Sequence, residues 1–207
     1  VVVTGYWKAV EPSQGKLNWE GTDNLLRWAQ EHRKRTRFHC IIYSFPDWVK
    51  KLNTEQAWWE TFEARIKAVA ERYGTSITEY DVINEMVSDE VAWPAKKAEV
   101  DAYRNFPPLW KPENGARMLS LARRYLPGAK LVVLETGISS PVNPHFLATV
   151  EYAKALAALG APFDYCGHQA HFYINGAMPF RAGHPTAGPG AFTMGQLSAG
   201  LDLPAAV

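Results

Sequence analysis

Tyr80-Asp81-Val82-Ile83-Asn84-Glu85 is a short, largely apolar run that ends in an amide and a carboxylic acid. A strand ending this way sets a titratable group at the rim of a parallel sheet, and that carboxyl-end rim is where α/β barrels keep their catalytic residues. Glu85 is therefore the candidate general acid/base, and Asn84 offers an amide that can hold a substrate hydroxyl. A glutamate at a strand end is also an ordinary surface carboxylate, so the assignment depends on what surrounds it. Strict alternation sends Asn84 and Glu85 to opposite faces, and both serve one site only if the strand bends or bulges there. A second constellation is Gly167-His168-Gln169-Ala170-His171. Here Gln169 and His171 share one face of a strand while His168 takes the other, which argues against a zinc site built from the two histidines.

The elements that must carry these residues alternate. Strands are predicted over residues 1–7, 37–43, 77–85, 130–135 and 163–172, with a sixth beginning at 203–207. Helices are predicted between them. One starts at Thr22 or Asp23 and turns Leu25, Leu26, Trp28 and Ala29 inward. A longer one is capped by Asn53 or Thr54 and has Trp58, Trp59, Phe62, Ile66 and Val69 at helical spacing. Further helices span 112–125 and 143–160, with a short one near 192–200. Two irregular stretches, 86–111 and 174–190, are longer than ordinary connections. This alternation predicts βαβ units on a parallel sheet. The expected fold is a partial (β/α)8 TIM barrel in one domain, because no glycine-rich phosphate loop follows an early strand as a doubly wound sheet would require.

Composition narrows the partners. Net charge is +1, which gives no electrostatic case for nucleic acid. Arg33, Lys34, Arg35 and Arg37 read as a solvated helix end. Cys40 and Cys166 read as buried free thiols. No apolar run approaches ~18 residues, so no membrane span is expected. Val1-Val2-Val3 reads as a strand already under way, without a signal segment. Eight Trp, nine Tyr and nine Phe are the one bias. Of these, Trp7, Trp48 and Trp93 could stack on sugar rings, with core packing as the competing reading.

Tyr80 to Glu85 resembles the acid/base motif of glycoside hydrolase family 10, the xylanase family. Other stretches follow in that family's order. The start of the chain with Glu11-Pro12 and Gly15 resembles its second strand, and His39 with Pro46-Asp47-Trp48 resembles its third. Residues 122–135 resemble its fifth strand, and Gly167 to His171 its sixth. The resemblance implies barrel strands two to seven, a retaining endo-β-1,4-glycanase, a xylan-like polysaccharide substrate, no cofactor or metal, and a monomer when full length. Secretion or a periplasmic location is plausible by resemblance alone. It also implies roles: Glu85 as acid/base, His171 orienting the nucleophile, and Asn84, Gln169 and His39 on the sugar.

Several positions depart from the family. Its Glu-Asn pair and Lys on the second strand are not found over residues 2–8. Its Trp-His dipeptide on the third strand is Tyr43-Ser44, and Leu134 replaces an Asn. The nucleophilic glutamate is expected beyond Val207, with Glu135 as the in-chain substitute, so the 207 residues alone are expected to be inactive. The alternatives are a carbohydrate-binding barrel without catalysis and a related hydrolase acting on another β-glycoside.

Overall fold

The computed structural model describes residues 1–87, 103, 105–136 and 144–169. Within them five strands form one sheet: β1 (Val2–Thr4), β2 (Arg37–His39), β3 (Glu79–Asn84), β4 (Lys130–Glu135) and β5 (Tyr165–His168). Their order in the sheet is their order in the chain, and every neighbouring pair is parallel. A doubly wound sheet would reverse direction at a switch point. Continuous winding is that of a barrel wall, so the fold is a partial (β/α)8 barrel. The predicted strand at 203–207, the helix near 192–200, the loop 174–190 and most of 86–111 lie outside the described residues.

Among the described residues five helices and a 3-10 turn at Val49–Lys51 accompany the sheet: α1 (Trp7–Val10), α2 (Glu20–Glu31), α3 (Glu55–Tyr73), α4 (Pro112–Tyr125) and α5 (Pro144–Ala158). Thr54 caps α3 as expected, its hydroxyl oxygen accepting from the Ala57 N–H at 3.1 Å. The periodic face of α3 buries Trp58, Trp59, Phe62, Ile66 and Val69, and the same face also buries Arg65. Arg65 is held because its guanidinium donates to the carbonyls of Gly5 at 2.5 Å and Ile41 at 3.3 Å. It lies between the rings of Trp7 and Trp19, 5.7 and 5.1 Å from their centroids. Burial pushes its pKa down to about 10. Thus α3 is fastened to the ends of the first two strands. Gly5 permits this close packing, since a Cβ there would sit 2.3 Å from the Phe38 ring.

The structure corrects several local expectations. β1 stops at Thr4, and Trp7 opens a four-residue helix too short to show a period. Neither Thr22 nor Asp23 caps α2, which begins at Glu20 with its N–H on Asn18 Oδ1 at 3.0 Å. Thr22 instead donates to the Thr4 carbonyl at 2.9 Å, and Asp23 accepts from Arg72 and from the Tyr73 hydroxyl. The buried face of α2 is Thr22, Leu26 and Ala29, whereas Leu25 and Trp28 are exposed. Arg35 and Arg37 are not helix-end charges: they pair with Glu79 and Asp81 on β3. Cys40 is buried but Cys166 only partly so, and both are free. Among the described residues no helix is long and apolar enough to cross a membrane.

Candidate active site

Every residue of β3 is buried, which makes it the strand best able to fix a reactive group at its end. Its pairing with β4 shifts register between Asp81 and Ile83, so Val82 is the extra residue of a bulge. Three residues later Glu85 adopts φ +55°, a left-handed conformation uncommon for a side chain of this size. Its own N–H still reaches the Leu134 carbonyl at 2.9 Å. The left-handed backbone at Glu85 breaks the alternation that would have separated its side chain from that of Asn84. Both side chains meet Gln169, whose Nε2 donates to Asn84 Oδ1 at 2.9 Å and to Glu85 Oε1 at 2.7 Å.

The second oxygen of Glu85 accepts from the Tyr43 hydroxyl at 2.7 Å. Tyr43 follows β2, and the backbone there still pairs with β3 through Ile41 N–H to Asp81 O at 2.8 Å and Ile42 N–H to Val82 O at 3.3 Å. Tyr6, at the end of β1, brings a partly exposed ring 6.4 Å from that of Tyr43 and 5.5 Å from that of His39. Burial first, then the charges of Cys40 and Glu85, push the Tyr6 hydroxyl's pKa up. Asn84 is fully buried, and its Nδ2 has no hydrogen-bond partner among the described residues.

The acids earlier along β3 are paired by residues in and just before β2 and by Tyr165 of β5. Asp81 accepts from Arg37 Nε at 2.6 Å and faces His39 Nδ1 at 2.8 Å. Glu79 accepts from the Tyr165 hydroxyl at 2.6 Å and pairs with Arg35. Burial alone would raise the Glu79 pKa, but the Tyr165 hydroxyl and Arg35 hold it below the ordinary glutamate value. Glu85, just past the end of β3, is thus an acid whose carboxylate meets neutral donors among the described residues.

Burial weighs against Trp7 as a sugar platform. Trp7 is 0 % exposed, ringed by Phe45, Trp48 and Phe62, with its Nε1 donating to Glu11 Oε2 at 2.9 Å. A ring with no exposed face cannot stack on a sugar. Trp48 is half-buried, with its ring edge on Trp7 and its Nε1 on the Glu11 carbonyl at 3.0 Å, and it serves the same loop anchor. Glu135 is likewise unsuited as a substitute nucleophile. It is 1 % exposed, accepts from the Val87 N–H at 2.9 Å and lies 3.4 Å from His145 Nε2. His39 is half-buried against Asp81. His171 and Trp93 lie outside the described residues.

The sequence reading passed over Tyr43 and Tyr6. The signal for Tyr43 was present as a departure from the family's third-strand tryptophan, but its contact with Glu85 spans 42 residues of chain. Among the described residues no three potential ligands gather to hold a metal. What the site can do is give or take a proton at a bound C–O bond.

Comparison with known proteins identifies the family. The family model described as Glycosyl hydrolase family 10 matches residues 4–184. Endo-1,4-beta-xylanase A of Halalkalibacterium halodurans is 27% identical over 190 residues, covering 81% of this chain and 44% of that protein. Endo-1,4-beta-xylanase 3 of Hypocrea jecorina is 26% identical over 167 residues, covering 80% of this chain and 46% of its own length. The chain therefore spans a little under half the length of these curated relatives. Among solved structures, native xylanase 10B from Thermotoga maritima superposes with a TM-score of 0.77 at 20% identity, covering 99% of this chain and 58% of that one. Xylanase 10B from Thermotoga petrophila, solved with xylobiose, gives 0.69 at 21% identity, covering 82% and 51%.

Proposed function

The chain belongs to glycosyl hydrolase family 10, and on that premise we propose that it carries the acid/base half of a retaining endo-β-1,4-glycanase site acting on a xylan-like polysaccharide. The observation that carries the proposal is the single amide of Gln169 joining Asn84 and Glu85, side chains that alternation alone would part. Glu85 would protonate the glycosidic oxygen as the anomeric C–O bond breaks, then take a proton from the water that releases the sugar. Asn84 Nδ2 would donate to a hydroxyl of the sugar at the cleavage point. His39 beneath it would line the floor of that subsite, and His171 would orient the nucleophile. The attacking carboxylate would stand ~5–5.5 Å from Glu85.

The names of the relatives support xylan as the substrate. The test is Glu85→Gln in the full-length protein, which keeps the acceptor for Gln169 and removes the proton donor. Release of reducing ends from xylan should fall ~10²–10⁴-fold, with much less loss on an aryl glycoside whose leaving group needs no proton. An unchanged rate on xylan would refute the assignment, and parallel assays on glucan and mannan would reassign the polymer. The second reading, a sugar-binding barrel without hydrolysis, draws on the start of the chain. There Val2 is exposed, Val3 is buried, and an aromatic, Tyr6, stands by the site. It predicts retention on xylan with no reducing ends released.

A further inference from the structure

The two oxygens of Glu85 have unlike partners, and this difference assigns the proton. Gln169 Nε2 meets two acceptors, Asn84 Oδ1 and Glu85 Oε1, so it is fixed as the nitrogen end of its amide and can only donate. An N–H that must donate requires Oε1 to remain an acceptor whether or not the carboxyl carries a proton. The Tyr43 hydroxyl on Oε2 is different, because a phenol O–H can rotate to donate to a carboxylate or to accept from a carboxylic acid. We propose that Oε2 is the oxygen that loads and delivers the proton, and that Tyr43 is a positioning residue whose hydroxyl reverses its hydrogen bond as that proton comes and goes.

The inference rests on the acid/base reading of Glu85 and deepens it. In the first half-reaction the Oε2 proton moves to the glycosidic oxygen as that oxygen takes the electron pair of the breaking C–O bond. Tyr43 then donates to the new carboxylate. In the second half-reaction the attacking water returns a proton to Oε2 and Tyr43 turns back. Tyr43 is held for this by its neighbours: the Ile42 N–H bonds to Val82 O at 3.3 Å and the Ser44 carbonyl accepts from the Lys8 N–H at 2.9 Å. Among the described residues the titratable groups around Glu85 are Tyr43, Tyr6 and Cys40 from the segments after the first two strands, while Gln169 from the β5 side is neutral. On β3, Asp81 is taken by Arg37 and His39, and on β4, Glu135 by the Val87 N–H and His145.

Tyr43→Phe in the full-length protein keeps the ring and deletes the hydroxyl. Losing a donor to the charged form favours the protonated form, so the alkaline limb of the kcat/KM profile should move up by about one pH unit. On xylan kcat should fall ~10–100-fold with KM little changed, since a hydrogen bond to a charged group is lost only as charge develops. A dinitrophenyl glycoside, which needs no proton to depart, should show little loss in its first step. Placing 3-fluorotyrosine at position 43 leaves the shape intact and strengthens the donor, and should move the same limb to lower pH. A wild-type profile in both variants overturns the proposal. If Glu85→Gln also keeps its rate, the acid/base reading itself has failed; if only the Tyr43 variants are silent, the fault lies in this inference alone.

Discussion

Glu85 pays in backbone conformation for the direction of its side chain. At φ +55° a residue with a Cβ is disfavoured by ~1–2 kcal/mol relative to ordinary helical or extended geometry. Glycine has no such penalty, so Glu85→Gly should abolish hydrolysis without lowering stability. Denaturant unfolding should show a gain of up to ~1 kcal/mol, reduced by the extra freedom glycine gives the unfolded chain. A clear loss of stability would mean that the hydrogen bonds of the carboxylate outweigh the strain. At this scale the sequence was readable where chemistry is local: an Asn-Glu pair at a strand end, and Gln169 in its own alternating run. It was unreadable where a contact spans the fold. Tyr43 was visible only as an unexpected residue type, and Trp7 only as an aromatic near a strand end, because neither position reveals what packs against it.

Elements are joined by a few polar knots, and Asp164 makes the clearest one. Sitting just before β5, it accepts from Arg123 of α4 at 2.7 Å, from Lys130 Nζ at 2.9 Å and from the Leu131 N–H at 2.9 Å. Burial would raise its pKa, but Lys130, the Leu131 N–H and Arg123 hold it down to about 2. A carboxylate depressed in the folded state contributes stability above its unfolded value and loses it as the pH falls from ~4 to ~2. Asp164→Asn should therefore cost ~1 kcal/mol at neutral pH, allowing for solvent screening, and should flatten the acid side of the stability profile over that window. A variant whose acid unfolding matches the parent would remove Asp164 from this role. Helix α3 was legible because nineteen residues carry a sustained apolar period between a threonine cap and Gly74. The start of α2 was misread because Thr22 and Asp23 bond to β1 and α3, contacts that outcompete a local cap. Likewise the basic run looked like a helix end because its acidic partners are on β3, 44 residues away.

Across the whole molecule, sequential winding puts β3 between β2 and β4, with all six of its residues buried. Glu85, the proposed proton donor, is thereby attached to the most enclosed strand, while Tyr43 and Gln169 approach it from segments that follow the ends of β2 and β5. Amides in the middle of β3 should exchange with deuterium more slowly than those of residues 43 and 169, which hydrogen-exchange mass spectrometry of the full-length protein can resolve. Equal rates would make the site and the sheet a single cooperative unit. If the rates differ as expected, warming disarms the protein in two stages. The partners of Glu85 part from it first, at temperatures where the barrel wall is intact, and the loss reverses on cooling. On the acid/base reading, an enzyme built this way would fail softly: its upper working temperature would follow the bonds of Tyr43 and Gln169 to Glu85, below its melting point.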